Sequence, residues 1–177
     1  MKAIAMESER LLYLPLSRKH LSISYVNWLN DPEVNKYLES GGGYTIQVLE
    51  AFLKEQEKNN ILFWGIHLKE TNKHIGNIKI DPINHKQNSA EYGILMGDKK
   101  NWGKGFGNEA SNRILKYCFE DLKFSEITLG VIENNLKAVS LYLKMGFIIT
   151  KKNEKAGIYN NELCNSLRMS LYVQDFK

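Results

Sequence analysis

Two cysteines, three prolines and no long apolar run are what the 177 residues conspicuously hold back. Cys118 and Cys164 are far apart and lack C-x-x-C spacing, which excludes a disulfide framework and a thiolate metal cage. They read as packing residues of a reducing compartment. Four histidines, His20, His67, His74 and His85, show no metal-ligand spacing, so no metal is expected. No segment is long and apolar enough to cross a membrane, and "MKAIAMESERLL" lacks the apolar core of a signal peptide. A cytoplasmic protein with no membrane partner is expected. The net charge is only +4 and the lysines are scattered, which argues against a nucleic-acid partner. What remains is ordinary: 43% apolar and 25% charged residues, in a length that suits one domain over 1–177.

The chain shows no repeat, linker or low-complexity stretch. "RLLYLPL" (10–16) reads as a strand. Leu21, Tyr25, Trp28 and Leu29 share one helical face. Asp31-Pro32 then breaks that helix and starts a second, "PEVNKYLE". Thr45 is placed to cap a helix over 46–58. Three strands follow at 61–68, 74–80 and 90–96, with a hairpin turn at 70–73 and a longer turn around Pro82 and Asn84. A helix over 107–122, a strand over 126–132 and a helix over 135–145 stopped by Gly146 come next, and a strand pair at 147–152 and 165–173 closes the chain. His67 and His74 flank the hairpin and read as surface residues. The order predicts a mixed α+β domain with a mostly antiparallel sheet of about seven strands.

"WGKGFGNEA" (102–110) links a strand to a helix. A helix N-terminus offers free N–H groups and partial positive charge, and glycines let an anion approach the backbone. Lys104 adds charge. The Walker spacing fails because Phe106 follows Gly105, and the dinucleotide fingerprint fails at Asn108. On its own residues the stretch is a phosphate loop or a plain connection.

The stretch "NLKAVSLYLKMGF" (135–147) bears on that choice. It reads N-x-x-A-x-x-L-Y-x-K-x-G-F. With the glycine loop and the element order, it resembles the GNAT superfamily of acetyl-CoA-dependent N-acetyltransferases over about residues 8–173. Trp102, where Gln or Arg is common in that family, is similar to the RimJ/RimL-like branch.

The resemblance implies acetyl-CoA as acetyl donor. Trp102, Gly103, Lys104, Gly105, Phe106, Gly107 and Asn108 would cradle its pyrophosphate. The pantetheine arm would pair with the backbone of Ile94, Leu95 and Met96 and lead into a gap beside the strand at 126–132. Asn135 would cap its helix or bond the arm. Tyr142 stands at the position of the acid that protonates the leaving thiolate, and a backbone N–H near Leu95 or Met96 would take the oxyanion. Glu91 is the candidate base, acting directly or through water. The expected partner is a small-molecule amine, with a nucleotide-linked amino sugar favoured because the stretch 28–39 offers aromatic and amide side chains. A polyamine, an aminoglycoside and a ribosomal-protein or peptide N-terminus stay open, as do a homodimer through the C-terminal strands and a non-catalytic acetyl-CoA-binding module. Asp31, Glu33 and Glu91 would suit a cationic amine.

Overall fold

The computed structural model describes residues 1–38, 41–59, 61–159 and 162–176. Among these residues eight strands and five α-helices follow in the order β1 (Met6–Glu7), β2 (Leu11–Pro15), α1 (Ile23–Asn30), α2 (Pro32–Asn35), α3 (Ile46–Lys58), β3 (Leu62–Leu68), β4 (His74–Asn84), β5 (Ser89–Met96), α4 (Phe106–Lys116), β6 (Glu126–Ile132), α5 (Leu136–Lys144), β7 (Ile148–Tyr159) and β8 (Glu162–Tyr172). The sheet order is β1-β2-β3-β4-β5-β6-β8-β7. β5 and β6 pair in parallel over Ser89–Glu91, whereas β1–β2, β2–β3, β3–β4, β6–β8 and β7–β8 are antiparallel. The mixed α+β class is as expected, with one strand more, since the two-residue β1 is too short to carry a periodic signal.

The contacts divide the chain into two compact units, 1–81 with 93–113, and 82–92 with 114–177. In the first, Tyr25, Val26, Trp28 and Leu29 of α1 pack with Leu49 and Leu53 of α3 and with Leu16 and Val34. The local chemistry explains these helices. Ser22 accepts from Tyr25 N at 3.2 Å, Asp31 from Glu33 N at 2.9 Å, and Thr45 from Val48 N at 3.2 Å. Each satisfies a first-turn N–H that has no helical partner. In the second unit, Ile127 and Leu129 of β6 and Leu167, Met169 and Leu171 of β8 are buried, as is Phe147 just before β7.

Several boundaries differ from the sequence reading. Pro82 and Asn84 belong to β4, and the turn comes later, at residues 85–88. The β3–β4 register starts at Leu62↔Ile80, so Pro82 lies past the end of β3 and owes it no N–H. Asn84 Oδ1 then closes the turn by accepting from Lys86 N and Gln87 N, both at 3.1 Å. The helix at 32–39 is only four residues long, α2, and Glu39 lies outside the described residues. The helix at 107–122 is α-helical to Lys116 and continues as a π-helical turn over Tyr117–Asp121, in which Tyr117, Cys118 and Phe119 are buried in succession. β7 and β8 extend well into the polar stretch between them, past register shifts at Ile149/Lys151 and Asn153/Gly157.

The histidines give the largest correction. His20 and His67 are buried and His74 is partly so. The three rings stand about one ring apart, with centroids 5.0 to 5.2 Å from one another. A side chain at Gly65 would strike the His20 ring, so β3 must be bare there. Isolated histidines in a sequence do not announce that a sheet and a capping turn will gather them. Among the described residues no group of His, Cys, Asp or Glu is placed to hold a metal, and no helix is long and apolar enough to cross a membrane.

Candidate active site

In the first unit, the glycine stretch forms an open surface that makes it a candidate cradle. Gly103 and Gly105 hold φ values of 75° and 82°, in the left-handed region that disfavours side chains. An added Cβ at Gly103 would meet nothing within 4 Å. α4 starts at Phe106, and its Glu109 N–H reaches back to Gly105 O at 3.0 Å. The N–H groups of Phe106, Gly107 and Asn108 therefore precede the first such bond and mark the anion-attracting end of the helix. Gly103, Lys104, Gly105 and Asn108 are exposed, and Phe106 is buried beneath them. Lys104 Nζ donates to Asn101 Oδ1 at 3.2 Å.

Trp102 explains its own unusual presence. Its indole N–H donates to the carbonyl of Met96 at 2.7 Å, tying the loop to the end of β5. The half-buried run Ile94, Leu95 and Met96 therefore leads directly to the cradle, and the Met96 side chain lies 3.7 Å from the Cβ position of Gly107. Asp98, next after Gly97, is anchored by Asn101 Nδ2 at 3.0 Å and by Lys73.

Arg10 is a cradle residue that the sequence did not single out. It begins the strand-like stretch at 10–16, and nothing in that local pattern points to residue 104. Its Nη1 donates to Lys104 O at 3.1 Å, its Nε to Glu109 Oε2 at 2.7 Å, and its guanidinium stacks 4.5 Å from the Phe106 ring centre. Glu109 Oε1 also accepts from Arg10 N and Ser8 Oγ, each at 2.7 Å. Partial burial works against ionisation of Glu109, but these donors outweigh it and hold its pKa below the ordinary carboxylate value.

The second unit holds the candidates Tyr142, Asn135 and Glu91. Tyr142 of α5 is 7% exposed, its ring 5.8 Å from that of Phe147 and 6.0 Å from that of Tyr92. Loss of water pushes its hydroxyl pKa up to about 12, so it stays protonated at neutral pH. Asn135 caps α5, accepting from Ala138 N at 3.4 Å. Glu91 is not free: Arg168 Nη1 and Nη2 donate to its two oxygens, each at 2.9 Å, and Nη2 also reaches Thr128 Oγ1 at 3.2 Å. Such a bidentate pair occupies both oxygens that a direct base would turn toward an acceptor. Asp31 and Glu33, in the first unit, both hold Lys99 Nζ, at 2.7 and 3.2 Å.

The family model for the acetyltransferase (GNAT) domain matches residues 10–148. The chain belongs to the GNAT acetyltransferase family. It is 28% identical over 147 residues to the uncharacterised N-acetyltransferase p20 of Bacillus licheniformis, covering 79% of this chain and 80% of that one. It is 30% identical over 122 residues to acetyltransferase PseH of Campylobacter jejuni, covering 69% and 73%. Among solved structures, spermidine N-acetyltransferase of Vibrio cholerae in complex with CoA and spermine superposes with a TM-score of 0.85 at 25% identity, over 95% of this chain and 98% of that one. This GNAT protein is thus an acyltransferase that uses acetyl-CoA. The cradle fits that donor: positive-φ glycines, an open surface and a helix start are what a pyrophosphate requires.

Proposed function

We propose that this GNAT enzyme acetylates the primary amine of an uncharged or anionic small molecule, with a nucleotide-linked amino sugar as the favoured acceptor. One observation carries this reading. The three acidic groups singled out for a cationic amine are matched within the chain, Asp31 and Glu33 by Lys99 and Glu91 by Arg168. A polycation would have to displace those partners, whereas an anionic acceptor would not. The net charge of +4 points the same way. The Vibrio cholerae relative supports a second reading, a polyamine acceptor.

When bound, acetyl-CoA supplies an activated acetyl thioester. Gly103–Asn108 and the backbone of Ile94–Met96 would hold and orient that donor, so that binding far from the reacting carbonyl positions it. A backbone N–H near Leu95 or Met96 would take the developing oxyanion. The Tyr142 hydroxyl would supply the proton for the departing thiolate. Glu91, clamped by Arg168, would act on the acceptor's proton through water. A thiol-release assay tests the acceptor with a nucleotide-linked amino sugar, spermidine, an aminoglycoside and a peptide. Turnover of the sugar above the others is expected. Preference for spermidine would establish the polyamine reading, and acetyl-CoA binding without thiol release from any amine would remove the enzymatic one.

A further inference from the structure

We infer that Arg10 is a positioning residue that presets the phosphate cradle before the donor arrives. The inference rests on the cradle holding coenzyme A. The peptide joining Lys104 to Gly105 is planar and trans, so its C=O and N–H point in opposite directions. Arg10 Nη1 fixes the Lys104 carbonyl at 3.1 Å. The Gly105 N–H is thereby turned away from Arg10, toward the anion side of the loop. Gly105, at φ 82°, has no side chain to hold this orientation, so the constraint has to come from outside the loop.

The same guanidinium anchors the first turn of α4. Its Nε holds Glu109, while its face covers Phe106. Glu109 in turn receives the Arg10 backbone N–H and the Ser8 hydroxyl, so the loop and helix start are bound to the turn between β1 and β2 at several points. Farther along α4, Arg113 Nε donates to Glu7 O at 3.0 Å and fixes the next turn to β1. With its charge committed to Glu109, Arg10 acts here through geometry more than through free positive charge. Lysine cannot reproduce this, because one ammonium lacks the planar fork that reaches Glu109 and Lys104 O together.

Arg10→Lys and Arg10→Gln test this against wild type, with Gly105→Val as a control on the cradle. Three readouts apply: CoA affinity by calorimetry, amide hydrogen exchange of residues 105–107 without ligand, and steady-state kinetics. Both Arg10 variants should bind CoA roughly tenfold more weakly and exchange those amides about tenfold faster, the loss being one of preorganisation. The acetyl-CoA KM should rise while kcat at saturation and the acceptor KM stay close to wild type. Glu109→Gln should reproduce a smaller version of the same change. Wild-type CoA affinity in Arg10→Lys, or a lower melting temperature with unchanged exchange and affinity, would overturn the inference. Unchanged affinity in Gly105→Val would instead overturn the cradle itself.

Discussion

Acid should destabilise this protein earlier than carboxylate chemistry alone requires, because of the histidine cluster. Burial pulls the His74 pKa from 6.5 to about 3, with His20 beside it adding to the effect and the bond to Asn77 opposing it. His20 is lowered as well, first by burial and also by His67, against the Ser17 contact. A histidine whose folded pKa is depressed binds its proton more readily in the unfolded chain. The folded state is therefore fully favoured above about pH 6.5 and loses ground as the pH falls toward 3. Each pH unit well inside that window costs about 1.4 kcal/mol through His74. At pH 5, His74 alone removes about 2 kcal/mol, a sizeable share of a stability of roughly 5–15 kcal/mol. Urea unfolding between about pH 7 and 4.5, followed by tryptophan fluorescence, reads this directly. Wild type should lose stability with a slope of at least about 1.4 kcal/mol per unit below about pH 6, and His74→Gln should flatten that slope by about one proton's worth. The window lies above most of the carboxylate range, so Glu109 and Asp98, whose pKa values are lowered, contribute mainly at its acid end. Equal slopes in wild type and variant would refute the reasoning.

Tyr142→Phe keeps the packing against Phe147 and Tyr92 but removes the proton donor, so kcat should fall about 10²-fold with CoA affinity unchanged, measured by thiol release and calorimetry. Gly105→Ala forces a side chain into the left-handed region and should cost about 1–2 kcal/mol, seen as a lower melting temperature and a raised acetyl-CoA KM. Trp102→Phe deletes the bond to Met96 O and should cost about 1 kcal/mol in urea unfolding. Glu91→Gln should lower kcat about 10²-fold in the thiol-release assay with CoA affinity unchanged, and an unchanged kcat would remove Glu91 from proton transfer.

Local chemistry made much of this molecule legible in its sequence. Thr45 and Asn135 name their helix starts because a first-turn N–H needs a side-chain acceptor. Gly146, at φ 94°, stops α5 for the same kind of local reason. The glycine loop and "NLKAVSLYLKMGF" carry the family signature because their functions lie in short, contiguous stretches of backbone. The strand at 10–16 was equally plain as a strand, yet gave no sign that Arg10 reaches Lys104 and Glu109, 94 and 99 residues away.

Long-range partnership belonged to the tertiary structure. Glu91 reads as a candidate base until Arg168, 77 residues later, takes both its oxygens. Asp31 and Glu33 read as attractants for a cation until Lys99 occupies them. His67 and His74 read as hairpin surface until a 3₁₀ turn, Arg18–His20, delivers His20 against them. The sequence by itself determined which segments are helix, strand and glycine loop, because capping, periodicity and positive φ act over a few residues. Which charges are free and which side chains are dry was decided only by folding, because desolvation and ion pairing depend on what the whole chain brings alongside.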